Sequence, residues 1–220
     1  MSPAAPHTQP LAVTDWLASE PVFYHEKTGA VGRRIQDVFD PADFEFDGQG
    51  LRHYLAFGYS VLGRTPVRHV RMLPPCCRLI RDGGALRFER DADPALAWLG
   101  RTTQEHDVLD LLSERVRQWE AQSGGEIVIP TSGGFDSRLL TLMIRDRQRS
   151  FTYGLSDQPS QSTEVVHAQA LARTLGTRWR MIELGDYHRE FDAWDQLFGP
   201  STHAHGMYQI EFYRKVLAEV

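Results

Sequence analysis

The sequence predicts an α/β protein in which a parallel-sheet region is preceded by a smaller α+β region. Three observations predict it. From residue 127 onward short apolar runs alternate with amphipathic stretches, and such alternation needs crossover connections and therefore a parallel sheet. Residues 20–93 carry instead short runs separated by turn residues, with one helical stretch among them. Finally, 220 residues with 41% hydrophobic content suffice for one ordinary domain or two small ones with a buried core. The expected boundaries are a disordered arm over 1–19, the α+β region over 20–93, a connecting helix within 94–125 and the parallel region over 126–220.

Taken in order, the Ala/Pro-rich first dozen residues have no pattern that could form a core. "EPVFYHEKTGAVGRRIQ" reads as a strand, a Lys-Thr-Gly turn and a second strand. "DGQGLRHYLAFGY" spaces Leu51, Tyr54, Leu55 and Phe57 as a short amphipathic helix does. "CCRLIRDGGALRFER" is a hairpin around Asp82, Gly83 and Gly84. "DVLDLLSERVRQWEAQSGG" places Val108, Leu109, Leu111, Leu112, Val116 and Trp119 on one helical face and stops at two glycines. There follow strand 127–131, helix 136–147, strand 150–153, helix 162–175 ended by Gly176, and strand 178–184. The stripe Met207, Ile210, Phe212, Tyr213, Val216 and Leu217 makes a last helix that faces the core, part of it exposed if the sheet is incomplete. There is no internal repeat, and no low-complexity tract beyond the arm.

Composition excludes several classes. The net charge is −5, and no basic block exceeds pairs such as Arg33 and Arg34, so a nucleic-acid partner is not expected. The N-terminus has neither a basic nor an apolar leader region and no run is long enough to cross a bilayer; the expectation is a cytoplasmic protein with no membrane partner. The only cysteines, Cys76 and Cys77, are neighbours, which rules out a disulfide framework or a four-cysteine zinc site and leaves buried thiols.

The informative stretch is "IVIPTSGGFDSRLL", a strand that turns through Ser132, Gly133 and Gly134 into a helix. A turn of this kind lies at the carboxyl edge of a parallel sheet, where α/β folds bind ligands. Glycines let the backbone approach a ligand and take angles that side chains forbid, while the first-turn N–H groups point outward with partial positive charge. The hydroxyls of Ser132 and Ser137 add donors. Asp136 beside a phosphate makes sense with a divalent cation between them. Magnesium with a nucleotide is the economical ligand, against the plainer reading of a tight turn in which Ser132 or Asp136 caps the helix. No Gly-Lys-Ser/Thr follows, so the loop is not of the Walker type, and the third glycine of a dinucleotide fingerprint is missing.

SGGFDS resembles the SGGxDS pyrophosphate loop of the ATP pyrophosphatase superfamily, an adenine nucleotide alpha hydrolase-like fold. The flank "FTYGLSDQPSQSTEVVHAQALARTLGTRWRMIEL" looks like the second strand, helix and Leu-Gly-Thr strand entry of asparagine synthetases. Upstream, "PVFYHEKTGAVG" and "LRHYLAFGYSVLGRTPVRHVRMLPPCCRLIRDGGALRFER" are similar to the last part of their glutaminase-like (Ntn) domain. The resemblance covers residues 20 to 184 and is to the asparagine synthase-like family, truncated at both ends.

That resemblance implies an ATP-dependent ligase. A substrate carboxylate, aspartate or a related acid, attacks the α-phosphate to give an acyl-adenylate and pyrophosphate, and ammonia or another amine then displaces AMP to form an amide. The loop amides from Ser132 to Ser137 (Ser132, Gly133, Gly134, Phe135, Asp136 and Ser137) would hold the pyrophosphate, Asp136 would reach magnesium (Mg2+), and the backbone at Thr131 and Tyr153 would bracket the adenine of ATP. Tyr153 replaces the small aliphatic residue usual there. Residue 2 is Ser where the glutaminase half uses an N-terminal cysteine, so glutamine hydrolysis is not expected, and the second acidic loop of the family, SGDGxDE, does not occur. Two expectations stand side by side: a split synthetase completed by a second chain, or a catalytically dead relic that acts as an interaction module. A sulfur-transferring relative is disfavoured because no cysteine follows the loop.

Five further residues are read without an assigned role. His188, His203 and His205 are expected in a solvated loop rather than a metal site, and His167 as a helical residue. Arg138 is expected at the surface, with a phosphate contact as the alternative.

Overall fold

The structure is a computed structural model that describes residues 9–144 and 147–220. The chain runs through β1 (Ala12–Val13), β2 (Phe23–His25), β3 (Val31–Gly32), α1 (Gly48–Phe57), β4 (Val70–Met72), β5 (Cys77–Asp82) and β6 (Ala85–Arg90). It continues through α2 (Glu105–Gln122), β7 (Ile127–Pro130), α3 (Phe135–Met143), β8 (Gln148–Thr152), α4 (Thr163–Leu175), β9 (Arg178–Met181), α5 (Phe191–Phe198) and α6 (Met207–Leu217). The fold is mixed α/β with small sheets, one of them parallel. One compact unit runs to Gly100 and takes in Phe191–His205; the other comprises Arg101–Glu190 and Gly206–Val220.

The first unit is antiparallel. β5 and β6 pair from Cys77 opposite Arg90 to Asp82 opposite Ala85. Gly83 and Gly84 both have positive φ, +55° and +91°, which is what a two-residue turn between right-twisted strands requires. β2 pairs with β3 across the expected turn and with β4 on its other side. α1 starts where the Asp47 carboxylate accepts the Gly50 N–H at 2.7 Å, and it ends at left-handed Gly58. Its expected apolar face is not a buried one, because Leu55 and Phe57 are exposed and only Gly50 is buried. The helix is held through its backbone instead: a Cβ on Gly50 would lie 1.8 Å from the Thr65 carbonyl oxygen.

The loose arm expected over 1–19 is not loose where it is described, and residues 1–8 lie outside the described residues. β1 pairs antiparallel with β5, Ala12 opposite Leu79. Buried Thr14 donates to the Pro74 carbonyl at 2.5 Å and accepts the Cys77 N–H at 3.1 Å. The edge of β5 opposite β6 has polar groups that need partners, and this short strand supplies them. Cys76 and Cys77 are both buried free thiols.

The second unit is built on a parallel sheet in the order β7-β8-β9, with Ile127 opposite Gln148 and Ser150 opposite Trp179. The period of two in β7 sorts its side chains to opposite faces. Ile127 and Ile129 pack with Val116 of α2 and Ile144, while Val128 faces a cluster of Phe151, Ile182, Phe212 and Val216, the last two from α6. Burying each of these isoleucines contributes about 2 kcal/mol. The helix expected as a connector therefore packs inside the second unit. Arg147 caps its end, donating to the carbonyls of Glu120 at 3.1 Å and Ser123 at 2.6 Å. Only Val116 of the six apolar residues on α2 is buried; Val108, Leu109, Leu111 and Trp119 are exposed. α3 is shorter than the expected 136–147, since Ile144 has left helical geometry, and β9 stops at Met181 rather than 184. Among the described residues no helix is long and apolar enough to cross a membrane.

Candidate functional site

The carboxyl end of β7 turns into α3 through Thr131, Ser132, Gly133 and Gly134. The turn is held by its two serines. The Ser132 N–H donates to Ser137 Oγ at 3.1 Å, the two hydroxyls lie 3.2 Å apart, and the Gly134 N–H donates to Ser132 Oγ at 3.1 Å. Gly134 is the N-cap of α3, which has no side-chain cap. Neither Ser132 nor Asp136 therefore caps this helix in the way the plainer reading required.

The glycines are not here for unusual angles, which corrects one expectation. Gly134 is extended, at φ −73° and ψ 160°, and neither it nor Gly133 has positive φ. Their reason is space: a Cβ on Gly133 would stand 3.3 Å from His167 Cδ2, and one on Gly134 3.2 Å from Ser132 Oγ. What the turn leaves open is its amides. The N–H groups of Gly133, Phe135, Asp136 and Ser137 have no acceptor among the described residues, while the Arg138 N–H already reaches back to the Gly134 carbonyl. Four such donors around the positive end of a helix make a site for an anion with several oxygens.

Asp136 is exposed and makes no hydrogen bond or ion pair with a described residue. Among the described residues no group of three or more His, Cys, Asp or Glu could hold a metal. Asp136 is thus a single free carboxylate beside the open amides, and magnesium is a cation that can be held through one carboxylate when phosphate oxygens and waters supply its other ligands. Arg138 is neither at large on the surface nor extended toward the open amides. Its guanidinium donates through Nε at 3.1 Å, and through Nη2, to the Gly133 carbonyl.

A cleft of about 310 Å³ opens beside the turn, between the ends of β7 and β8 and α6. Thr131, Ser132, Tyr153, Glu164, Tyr208 and Phe212 are among the residues lining it. Thr131 is buried and its backbone is engaged, the N–H donating to the Phe151 carbonyl at 2.8 Å and the carbonyl accepting from Thr152 Oγ1 at 2.5 Å. The backbone of Tyr153, by contrast, has no partner among the described residues. Its ring packs against Tyr208 and Phe212, with centroids 5.4 and 4.9 Å away. Burial first, then the neighbouring Tyr208 hydroxyl, pushes its phenol up to about 12, so it is neutral and a donor at physiological pH.

No family model matches the chain, and no curated protein matches it.

The structure adds three residues that sequence reasoning had not placed at this site. Glu164 and His167 come from the start of α4, which follows β8 and so opens at the same sheet edge as the turn. Tyr208 faces the cleft from α6, one residue off the stripe that the helical spacing singled out. Elsewhere, His203 is not a solvated loop residue. It is half-buried, its ring sits against Gly58, and it meets the His205 ring edge-on with centroids 4.1 Å apart. His188, in the second unit, packs on Tyr187, with ring centroids 4.6 Å apart.

Proposed function

We propose that the chain is an asparagine synthase-like, ATP-dependent ligase, or one part of such an enzyme, which adenylates a carboxylate with release of pyrophosphate and then forms an amide with ammonia or another amine. In this reading the second unit is the ATP pyrophosphatase region and residues 20–93 a remnant of a glutaminase-like domain. One observation carries it: four unpaired amides and a free aspartate converge on the SGGFDS turn, at the carboxyl edge of a parallel sheet and next to an aromatic cleft.

A bare carboxylate is a poor acyl donor, and AMP is the leaving group that makes it a good one. The chain contributes position and charge neutralisation. The amides of Gly133, Phe135, Asp136 and Ser137 take the phosphate tail, with Ser132 and Ser137 holding the turn in shape. Asp136 would hold magnesium, which when bound screens the charge of the phosphates. Tyr153 offers the base an unpaired peptide edge and a ring wall, whereas Thr131 contributes only wall, because its N–H and carbonyl are both already engaged. The acidic SGDGxDE loop of the resembled family, on this polypeptide or another, would complete the site, and a cytoplasmic location fits the use of ATP.

A second reading is favoured by a separate observation. Val108, Leu111 and Trp119 on α2 and Tyr213 and Leu217 on α6 are exposed, as on a docking module whose loop is a relic. Replacing Asp136 by Asn separates the two. Pyrophosphate release from ATP, assayed with aspartate and ammonia, with and without a complementing chain, should fall about a hundredfold or more in the variant. Binding of a partner with no turnover in either protein would support the docking module instead.

A further inference from the structure

We propose that Arg138 is a positioning residue for the phosphate site, braced by Phe135 and acting on the peptide that joins Gly133 to Gly134. The inference rests on the reading of the turn as a nucleotide site. A peptide between two glycines is the easiest in the turn to flip, because no Cβ on either side opposes rotation. Its orientation matters most here. If it flipped, the Gly133 carbonyl would swing toward the open amides and present negative charge to the incoming anion.

Both ends of that peptide are held. The carbonyl accepts two N–H groups from the Arg138 guanidinium, and the N–H donates to Ser132 Oγ at 3.1 Å. The guanidinium is itself placed by the Phe135 ring, with Cζ 4.8 Å from the ring centroid. Phe135 fills the variable position of the loop and is 82% exposed, so its ring is not there to build a core. On the other side of Gly133, His167 and Glu164 of α4 close the space. Phe135 and Arg138 lie three apart on one helix, the spacing at which side chains meet. Together they form a clasp whose two donors are used up on a carbonyl rather than on phosphate. Lysine could not replace it, since a single ammonium has neither the planar fork nor the flat face.

The test measures Mg-ATP and magnesium pyrophosphate binding by calorimetry for the unsubstituted chain, Arg138→Ala, Arg138→Lys and Phe135→Leu, with amide hydrogen exchange at Gly134 in the unliganded proteins. Affinity should fall about tenfold in Arg138→Ala and nearly as far in Arg138→Lys. Phe135→Leu should lose about threefold, and exchange at Gly134 should quicken in all three variants. Full affinity in Arg138→Lys would overturn the proposal, because charge alone would then be acting, and so would full affinity in Arg138→Ala. Should Arg138→Ala not fold, Phe135→Leu decides the matter: unchanged affinity and exchange there would defeat the clasp. Equal binding by every protein defeats the clasp alone, whereas no binding by the unsubstituted chain defeats the functional reading on which it rests.

Discussion

The helix starts of α1 and α3 use an aspartate in opposite ways. Asp47, in the first unit, is fully occupied: it accepts the Gly50 N–H at 2.7 Å and pairs with Arg71 at 3.2 Å and Arg64 at 3.5 Å. Asp136, in the second, faces solvent with no partner among the described residues, and the amides around it are open. A helix start that stabilises the fold consumes its own polar groups. The start of α3, which we propose binds a ligand, leaves them unpaired and relies on neighbours, Ser132, Ser137 and Arg138, to hold its shape.

The glycines offer the sharpest way to break this comparison. Gly50→Ala drives a Cβ into the Thr65 carbonyl, a backbone atom that cannot step aside, and should destabilise the first unit by about 3 kcal/mol in thermal or denaturant unfolding. Gly133→Ala crowds the exposed His167 ring at 3.3 Å and meets the Glu164 backbone only at an ordinary contact distance of 3.6 Å, so its stability cost should stay below about 1 kcal/mol, with the loss appearing in Mg-ATP affinity instead. Equal destabilisation by the two would mean that the turn is a structural feature like α1.

Smaller effects separate the aspartates. Asp47→Ala should cost about 2 kcal/mol, through the lost cap and the stranded Arg71, and leave nucleotide affinity alone. Asp136→Ala should change stability by less than about 0.5 kcal/mol. Burial raises the pKa of Asp47, but the Gly50 amide and the Arg71 and Arg64 guanidiniums outweigh it, so the net value lies below the usual 3.8. A depressed carboxyl stabilises the fold above its unfolded value, and that contribution is lost as pH falls through the folded one. The stability gap between the unsubstituted chain and Asp47→Ala should therefore be constant above about pH 5 and close in acid.

Local chemistry explains what was legible in the sequence. The hairpin was visible because Gly83 and Gly84 are a two-residue turn signal, and the parallel sheet because strand and helix patterns alternate after residue 127. The position of the SGGFDS turn, between strand and helix, followed from the same pattern. Whatever depended on non-local packing was hidden. Helical spacing cannot tell that Leu55, Phe57 and most of the α2 stripe stay exposed, nor that Ala12 and Val13 find an edge on β5. The roles of Arg138 and of Gly133 depend on where the Gly133 carbonyl and His167 lie, and no spacing rule places either.

The central claim is that the open amides of the turn hold the phosphate tail of a nucleotide, and backbone NMR during a Mg-ATP titration tests it most directly. The account predicts large, saturable shifts for the amides of Gly133, Phe135, Asp136 and Ser137, with a smaller change at Gly134, whose N–H is already bonded to Ser132. Signals at those four positions that stay fixed at millimolar nucleotide, or a response confined to other surfaces, would contradict it.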